Sequence, residues 1–431
     1  MKKQVRISRV SVRQALLAAL LVTAVTASGL VAGCSGPASV ETIVKADTAR
    51  SEKPRMPADF PAVDSVPALV AGNTQFALDL YGALFDGDDN LFLSPHSLSM
   101  ALTMTYAGAR GETEGQMAGT LHFGLPQAQL HPAFNALDQA LAGRGQDEPL
   151  AFQSRRLNAL WGQEGYTFLE PFLDRLAEDY GAGMQLVDFR QAEEARGQIN
   201  NWGSEQTGNR IEELLPPGSL DSATALVLTN AAYFQAAWQK PFAEGATHDA
   251  AFTLAEGGQV MVPTMEQVAY LGYAELPGVQ AVELPYAGGQ QSMVILLPDQ
   301  GSFEPFAQAL DADQLDTILG ALAPTSLRLA VPRFRYDAGF ELRDALSDLG
   351  MVDAFGDRAD FSGIDGTREL FIDQVYHQAF VDVDEAGTEA AGASAVAMAL
   401  KGELQAEQEL RVERSFLFLI RDLDTNAVLF L

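Results

Sequence analysis

The sequence predicts a mixed α+β fold built around one main compact domain, and three observations carry that expectation. Of 431 residues, 47% are apolar and 20% charged, enough apolar matter for a large core and too little charge for a disordered chain. Apolar runs of strand character, at 225–234 and 282–297, alternate with stretches of helical spacing such as 340–349. No internal repeat and no long low-complexity run interrupts them, so a packed body is expected rather than an array.

The chain opens with a targeting signal. Residues 1–33 hold five Lys or Arg, no acid, a short apolar run and small residues at the end, the pattern of an export signal rather than a spanning helix. The run Val31-Ala32-Gly33-Cys34 resembles the lipobox of bacterial lipoproteins, which implies a lipid-modified Cys34 as first residue of the mature chain. A chance cysteine beside an ordinary cleavage site is the plainer reading. Cys34 is the sole cysteine, so the fold has to stand without disulfides.

Losing residues 1–33 removes five positive charges and no negative ones, so the formal charge of -29 becomes -34. Nucleic acid and anionic lipid surfaces are poor partners for such a body. Residues 35 to 66 are polar, carry Pro37, Pro54, Pro57 and Pro61, and show no apolar period, which predicts an extended spacer. The expected organisation is a signal at 1–33, a lipidated N-terminus and spacer at 34–65, and a folded domain at 66–431.

Within the domain, Asn90–Leu93 reads as a short strand and Ser94 as the cap of a helix whose first turn accepts Pro95. Leu98, Leu102 and Tyr106 recur at near-helical spacing and bring Ser97 close to the buried stripe. Catalytic motifs are missing: there is no G-x-S-x-G, no H-E-x-x-H and no phosphate-cradling glycine loop. The histidines at 96, 122, 131, 248 and 377 are scattered without metal-ligand spacing. Neither a cofactor nor a metal is expected, and no residue stands out as a nucleophile.

One stretch needs an explanation. Asp384 to Gly402 reads DEAGTEAAGASAVAMALKG, and between Glu389 and Lys401 it carries no charge, in a chain with 57 acidic residues. An alanine-rich surface helix is the plain reading, since alanine favours helices. Gly387 and Gly392 count against it.

Four segments, in order, resemble the serpin family: NLFLSPHSLSMALTMTYAGARGETEGQM (90–117), INNWGSEQTGNRIEELLPPGSLDSATALVLTNAAYFQAAWQKPF (199–242), VPRFRYDAGFELRDALSDLGMVDAFGDRADFSGI (331–364) and VYHQAFVDVDEAGTEAAGASAV (375–396). The resemblance implies the serpin fold, with a large central β-sheet, further sheets, surrounding helices and an exposed reactive loop. It also implies an inhibitor rather than an enzyme. A target serine protease cleaves the loop, which then inserts as a new strand in the central sheet, a strand addition that releases strain.

Under that resemblance the ribbon is the inserting strand. Glu385 and Gly387 fall at its hinge, and alternate residues Thr388, Ala390, Gly392, Ser394, Val396 and Met398 face inward, all small or apolar, while Glu389 faces out. A charge at an inward position would have to be dehydrated, at a cost of several kcal/mol. Counting from Glu385 at the family's usual spacing puts the reactive bond at Lys401–Gly402, with Leu400 or Met398 as the alternatives if the register slips. A lysine there suits proteases with an acidic primary pocket, as in trypsin-like enzymes. Ser94, Ser97, Asn230 and His377 match the family's shutter cluster beneath the opening sheet, and Trp238 with Glu385 matches the breach where insertion begins.

Three positions depart from the family pattern. The chain stops at Leu431 where members usually continue, Ser415 stands where a proline is common, and Glu413 replaces Asn or Asp. These bear on the C-terminal strands rather than on the hinge. Two other functions compete: a non-inhibitory serpin acting as a binding protein or chaperone, whose usual mark is a charged or bulky hinge, and a cell-envelope lipoprotein hydrolase. The expected partners are a trypsin-like protease and a membrane reached through the lipid anchor only, for a monomer at the outer membrane or cell surface, with its domain in periplasmic or extracellular space.

Overall fold

The computed structural model describes residues 47–58, 60–87, 89–144, 152–255, 257–388 and 406–431. The helices among them are α1 (Phe60–Leu84), α2 (Pro95–Tyr106), α3 (Gly111–Thr120), α4 (Gln127–Ala142), α5 (Glu170–Tyr180), α6 (Ala192–Gln206), α7 (Phe303–Ala309), α8 (Ala312–Gly320), α9 (Arg343–Asp348) and α10 (Ser362–Asp365). The strands are β1 (Asp47–Ala49), β2 (Phe152–Gln163), β3 (Met184–Val187), β4 (Leu226–Ala237), β5 (His248–Thr253), β6 (Gln259–Leu276), β7 (Val279–Pro285), β8 (Gln291–Pro298), β9 (Ala323–Pro332), β10 (Phe334–Glu341), β11 (Gln374–Val383), β12 (Gly387–Thr388), β13 (Gln408–Arg411), β14 (Leu417–Asp422) and β15 (Val428–Phe430).

They form a seven-stranded sheet in the order β1-β3-β2-β4-β12-β11-β10, and an eight-stranded sheet in which β13-β9-β6-β7-β8-β14-β15 form the path and β5 pairs with β6. The central strand β4, LVLTNAAYFQAA, is buried along nearly its whole length because both faces are covered. Leu228, Ala232, Phe234 and Ala236 face the main core, whereas Val227 and Ala231 pack with Ile199, Leu214 and Trp161 under α6. The expected run at 282–297 resolves into the hairpin β7–β8, with β8 buried throughout.

The feature that positions the functional residues is a split seam. Strands β4 and β11 pair in parallel from Val227–Gln374 to Tyr233–Phe380, and above that level β12 lies between them, antiparallel to both. Gly387 pairs with Ala237, and Thr388 pairs with Ala236 on one side and Val383 on the other.

Several local expectations are corrected. The spacer expected over 34–65 does not run free from residue 47 on: β1 pairs with the outer edge of β3, and α1 begins at Phe60. Residues 90–93 form no assigned strand, although Leu93 exchanges two backbone hydrogen bonds with Leu431. Ser94 precedes α2 without capping it, because its hydroxyl donates to the Leu429 carbonyl at 2.8 Å instead. Phe340 belongs to β10, and the helix expected at 340–349 is confined to α9.

Candidate functional site: the hinge and the seam

After β11 the chain reverses in a tight turn. Asp384 accepts hydrogen bonds on Oδ1 from the Ala386 and Gly387 amides (2.8 and 3.1 Å), and its own amide donates to the Gly387 carbonyl at 2.9 Å. Gly387 is required by crowding rather than by its dihedrals: a Cβ there would strike the Ala236 carbonyl oxygen and come within 2.7 Å of Ala237 Cα. Small residues at this point are what allow a third strand into the gap.

The turn is fastened from the β4 side. Trp238 donates from its indole to the Asp384 carbonyl and from its amide to the Ala386 carbonyl, both at 2.9 Å, and the Phe242 amide donates to the Glu385 carbonyl at 2.9 Å. The Glu385 carboxylate accepts from the Thr247 hydroxyl at 2.6 Å and lies 3.6 Å from the Arg333 guanidinium. Trp238 stacks on Tyr286, centroids 4.7 Å apart and planes within 8°. Tyr286 in turn places its hydroxyl 2.7 Å from that of the fully buried Thr388. Burial pushes the Tyr286 hydroxyl far above its ordinary acidity range, so it stays protonated and available as a donor.

Lower on the seam, where β4 and β11 meet directly, Asn230 and His377 are register partners. His377 Nε2 faces the Ser94 amide at 3.0 Å, and a backbone N–H can only donate, so Nε2 accepts and the ring carries its proton on Nδ1. Nδ1 then donates to Asn230 Oδ1 at 2.6 Å. Asn230 Nδ2 donates to the Ser97 hydroxyl at 2.6 Å, and the Asn158 amide closes the cluster against Ser97 and Asn230. Ser94, Ser97, Asn230 and His377 are all buried, and burial holds His377 down at about 3. The neutral ring is what the hydrogen bonds need.

The structure thus brings Ser94, Ser97, Asn230 and His377 into one hydrogen-bonded cluster, and Trp238, Glu385, Gly387 and Thr388 into another at the upper end of the same seam. Ala390, Gly392, Ser394, Val396, Met398, Lys401, Gly402 and Cys34 lie outside the described residues. Sequence reasoning missed Asn158, Thr247, Tyr286 and Arg333. Only Tyr286 carried a signal, an aromatic within the strand-like run 282–297, and nothing local pointed to Thr388 as its partner.

The site is thus a central sheet with a short strand wedged at one end of its middle seam, above a buried polar cluster. Residues 71–431 match the family model described as Serpin (serine protease inhibitor). The chain belongs to the serpin family. It is 40% identical over 375 residues to the leukocyte elastase inhibitor of Sus scrofa, covering 84% of this chain and 98% of that protein. An uncharacterized serpin-like protein of Thermococcus kodakarensis is 38% identical over 359 residues, 83% of each chain. The fold superposes on the thermophilic serpin tengpin in its native state with a TM-score of 0.78 at 26% identity, over 90% of this chain and 98% of that one.

Proposed function

We propose that this chain inhibits trypsin-like serine proteases as a suicide substrate, trapping the acyl-enzyme by inserting its cleaved loop into the β4–β11 seam. The protease serine attacks the Lys401 carbonyl, the bond to Gly402 breaks, and the Gly402 amine departs, leaving the loop esterified to the enzyme. Insertion then carries the ester and the enzyme to the other end of the sheet before water hydrolyses the ester.

The observation that carries this reading is the register of β12. Thr388 sits opposite Val383 and Ala236. Continued residue by residue along the seam, the same antiparallel register sets Gly392 level with Ala232 and Ala379, and Val396 level with Leu228 and Val375. Ser394 falls level with Asn230 and His377, the polar row. The inserting sequence therefore matches small with small, apolar with apolar and hydroxyl with amide and imidazole. Parting β4 from β11 breaks the Asn230–His377 hydrogen bond, and the Ser394 hydroxyl is placed to satisfy both ends, which a buried polar pair demands. A permanent surface helix has no reason for this correspondence.

The leukocyte elastase inhibitor relatives support protease inhibition as the class of activity. Lys401 supports the trypsin-like preference, and the leader ending in Cys34 supports a lipid-anchored monomer outside the cytoplasm, tethered through residues 34–46 with its domain beyond. Fatty-acid labelling lost in Cys34→Ser tests the anchor. Incubation with trypsin and denaturing electrophoresis tests the mechanism: a covalent adduct supports it, clean loop cleavage without adduct makes the chain a substrate-like serpin, and ester turnover without a protease makes it a hydrolase.

A further inference from the structure

We propose that the aromatic cavity enclosed by the end of α1, the β5–β6 hairpin and the first residues of β10 binds a long-chain monocarboxylate, with its carboxylate on the Arg333 guanidinium. The cavity measures about 630 Å3. Its inner wall carries the buried Tyr81, Phe418 and Leu431, and the exposed Leu254 and Val260 continue the apolar lining out to solvent. Phe252 closes it from β5 and Phe334 from β10. Water gains few hydrogen bonds from such walls, so it yields readily to an apolar ligand.

The space continues beyond this cavity. A second one of about 270 Å3 shares Phe85, Leu254, Phe303 and Ser415 with it and runs on to Asp299, Glu304 and Arg414. Ser415, which stands where the family commonly has proline, lies where the two meet. Two joined cavities suit a flexible chain better than a compact ring system. The chain can thread both, and each methylene it buries adds to affinity.

Charge decides which end holds the head group. In the far cavity Asp299 and Glu304 outweigh Arg414, whose Nε already donates to the Pro298 carbonyl at 2.9 Å. Among the described residues lining the first cavity, Arg333 is the one cation and Asp89, exposed at the rim, the one acid. The Arg333 guanidinium is half exposed, and its Nε lies 3.6 Å from Glu385, well beyond the roughly 2.7–2.9 Å of a charge-assisted hydrogen bond. A carboxylate arriving from the cavity can form the bidentate pair that Glu385 does not. Glu385 is not stranded when Arg333 turns away, because it keeps the Thr247 hydroxyl at 2.6 Å. The ligand and Glu385 therefore compete for one guanidinium, and each weakens the other's hold on it reciprocally.

Isothermal titration calorimetry of the full chain with oleate, kept below its micelle concentration, tests the site without any protease, so its outcome is separate from that of the inhibition reading. Wild type should bind oleate saturably, and octanoate far more weakly. Arg333→Gln should weaken oleate about tenfold and leave oleyl alcohol unchanged, because only the charged head group needs the guanidinium. Arg414→Gln should leave oleate affinity at the wild-type value. Glu385→Gln, which frees Arg333, should tighten oleate binding about threefold, an effect that general loss of stability would not produce. Wild type without saturable binding overturns the proposal. So does an affinity that Arg333→Gln and Glu385→Gln both leave unchanged, or a loss that follows Arg414→Gln in place of Arg333→Gln.

Discussion

The hydroxyl of Thr388 lies 2.7 Å from the hydroxyl of Tyr286, both side chains fully buried, so Thr388 is docked in the sheet between β4 and β11. Gly387 and Thr388 are not a free loop; they form a strand held between β4 and β11.

Tyr286→Phe should therefore strand the Thr388 hydroxyl without a partner, costing about 1–3 kcal/mol and lowering the melting temperature by about 2–6 °C. Because the same contact persists when the strand is extended, uncleaved and loop-cleaved protein should lose stability alike, and the yield of covalent complex should stay near wild type. A loss confined to the uncleaved form, read by differential scanning calorimetry, would contradict that placement.

Acid should weaken the native state through its buried histidines. Burial holds His377 at about 3 against an ordinary 6.5, and burial with the nearby Arg175 charge does the same to His131. The folded values lie below the unfolded ones, so the unfolded chain takes up the extra protons. The stabilisation is complete above pH 6.5 and falls as pH drops through the window toward 3, by about 1.4 kcal/mol per pH unit for each histidine. Melting temperatures between about pH 7 and about pH 5 should decline in wild type and less steeply in His131→Gln; equal slopes would refute the assignment.

Ser394→Ala examines the register directly. It should leave the uncleaved protein's melting temperature unchanged and lower that of the loop-cleaved protein, since in the proposed register insertion would bring the hydroxyl to Asn230 and His377. The cost expected is about 1–3 kcal/mol for a buried pair left unsatisfied. Ala393→Ser, one position along on the other face, should not reproduce it.

Specificity should follow Lys401. Lys401→Leu should slow the reaction with trypsin-like proteases by orders of magnitude and quicken it with chymotrypsin-like ones, because an acidic pocket base selects the ammonium. Mass spectrometry of the cleaved loop that places the cut after Leu400 or Met398 would show the register to be slipped.

How much of this was legible in the sequence depended on where each signal resided. Strands β4 and β8 are readable because burial on both faces leaves continuous apolar runs, and the hinge is readable because its family pattern is contiguous from Val375 to Val396. The docking of Arg50 and Ser51 on the body is not: their partners Gly181 and Asp174 lie more than a hundred residues away, and a polar segment with prolines gives no periodicity to read. Ser94 misled for a related reason. A serine before Pro95 has every local feature of a cap, but its hydroxyl is claimed by Leu429, 335 positions distant. Tyr286 and Thr388 are likewise joined only by the fold, across 102 positions.

Thr388→Arg measured against Glu389→Arg tests most directly whether residues from Thr388 onward enter the sheet. An arginine at the buried position opposite Val383 and Ala236 would have to lose its hydration where the strand begins, at a cost of several kcal/mol, whereas strand alternation would put one at the next position on the opposite, outward face. Both variants keep Lys401, so both should be cleaved by trypsin. The quantity to measure is the fraction of trypsin held in covalent complex on a denaturing gel, with the melting temperature of the cleaved inhibitor alongside. Glu389→Arg should trap like wild type, and Thr388→Arg should release active protease and gain far less thermal stability on cleavage. Equal trapping by both would contradict insertion.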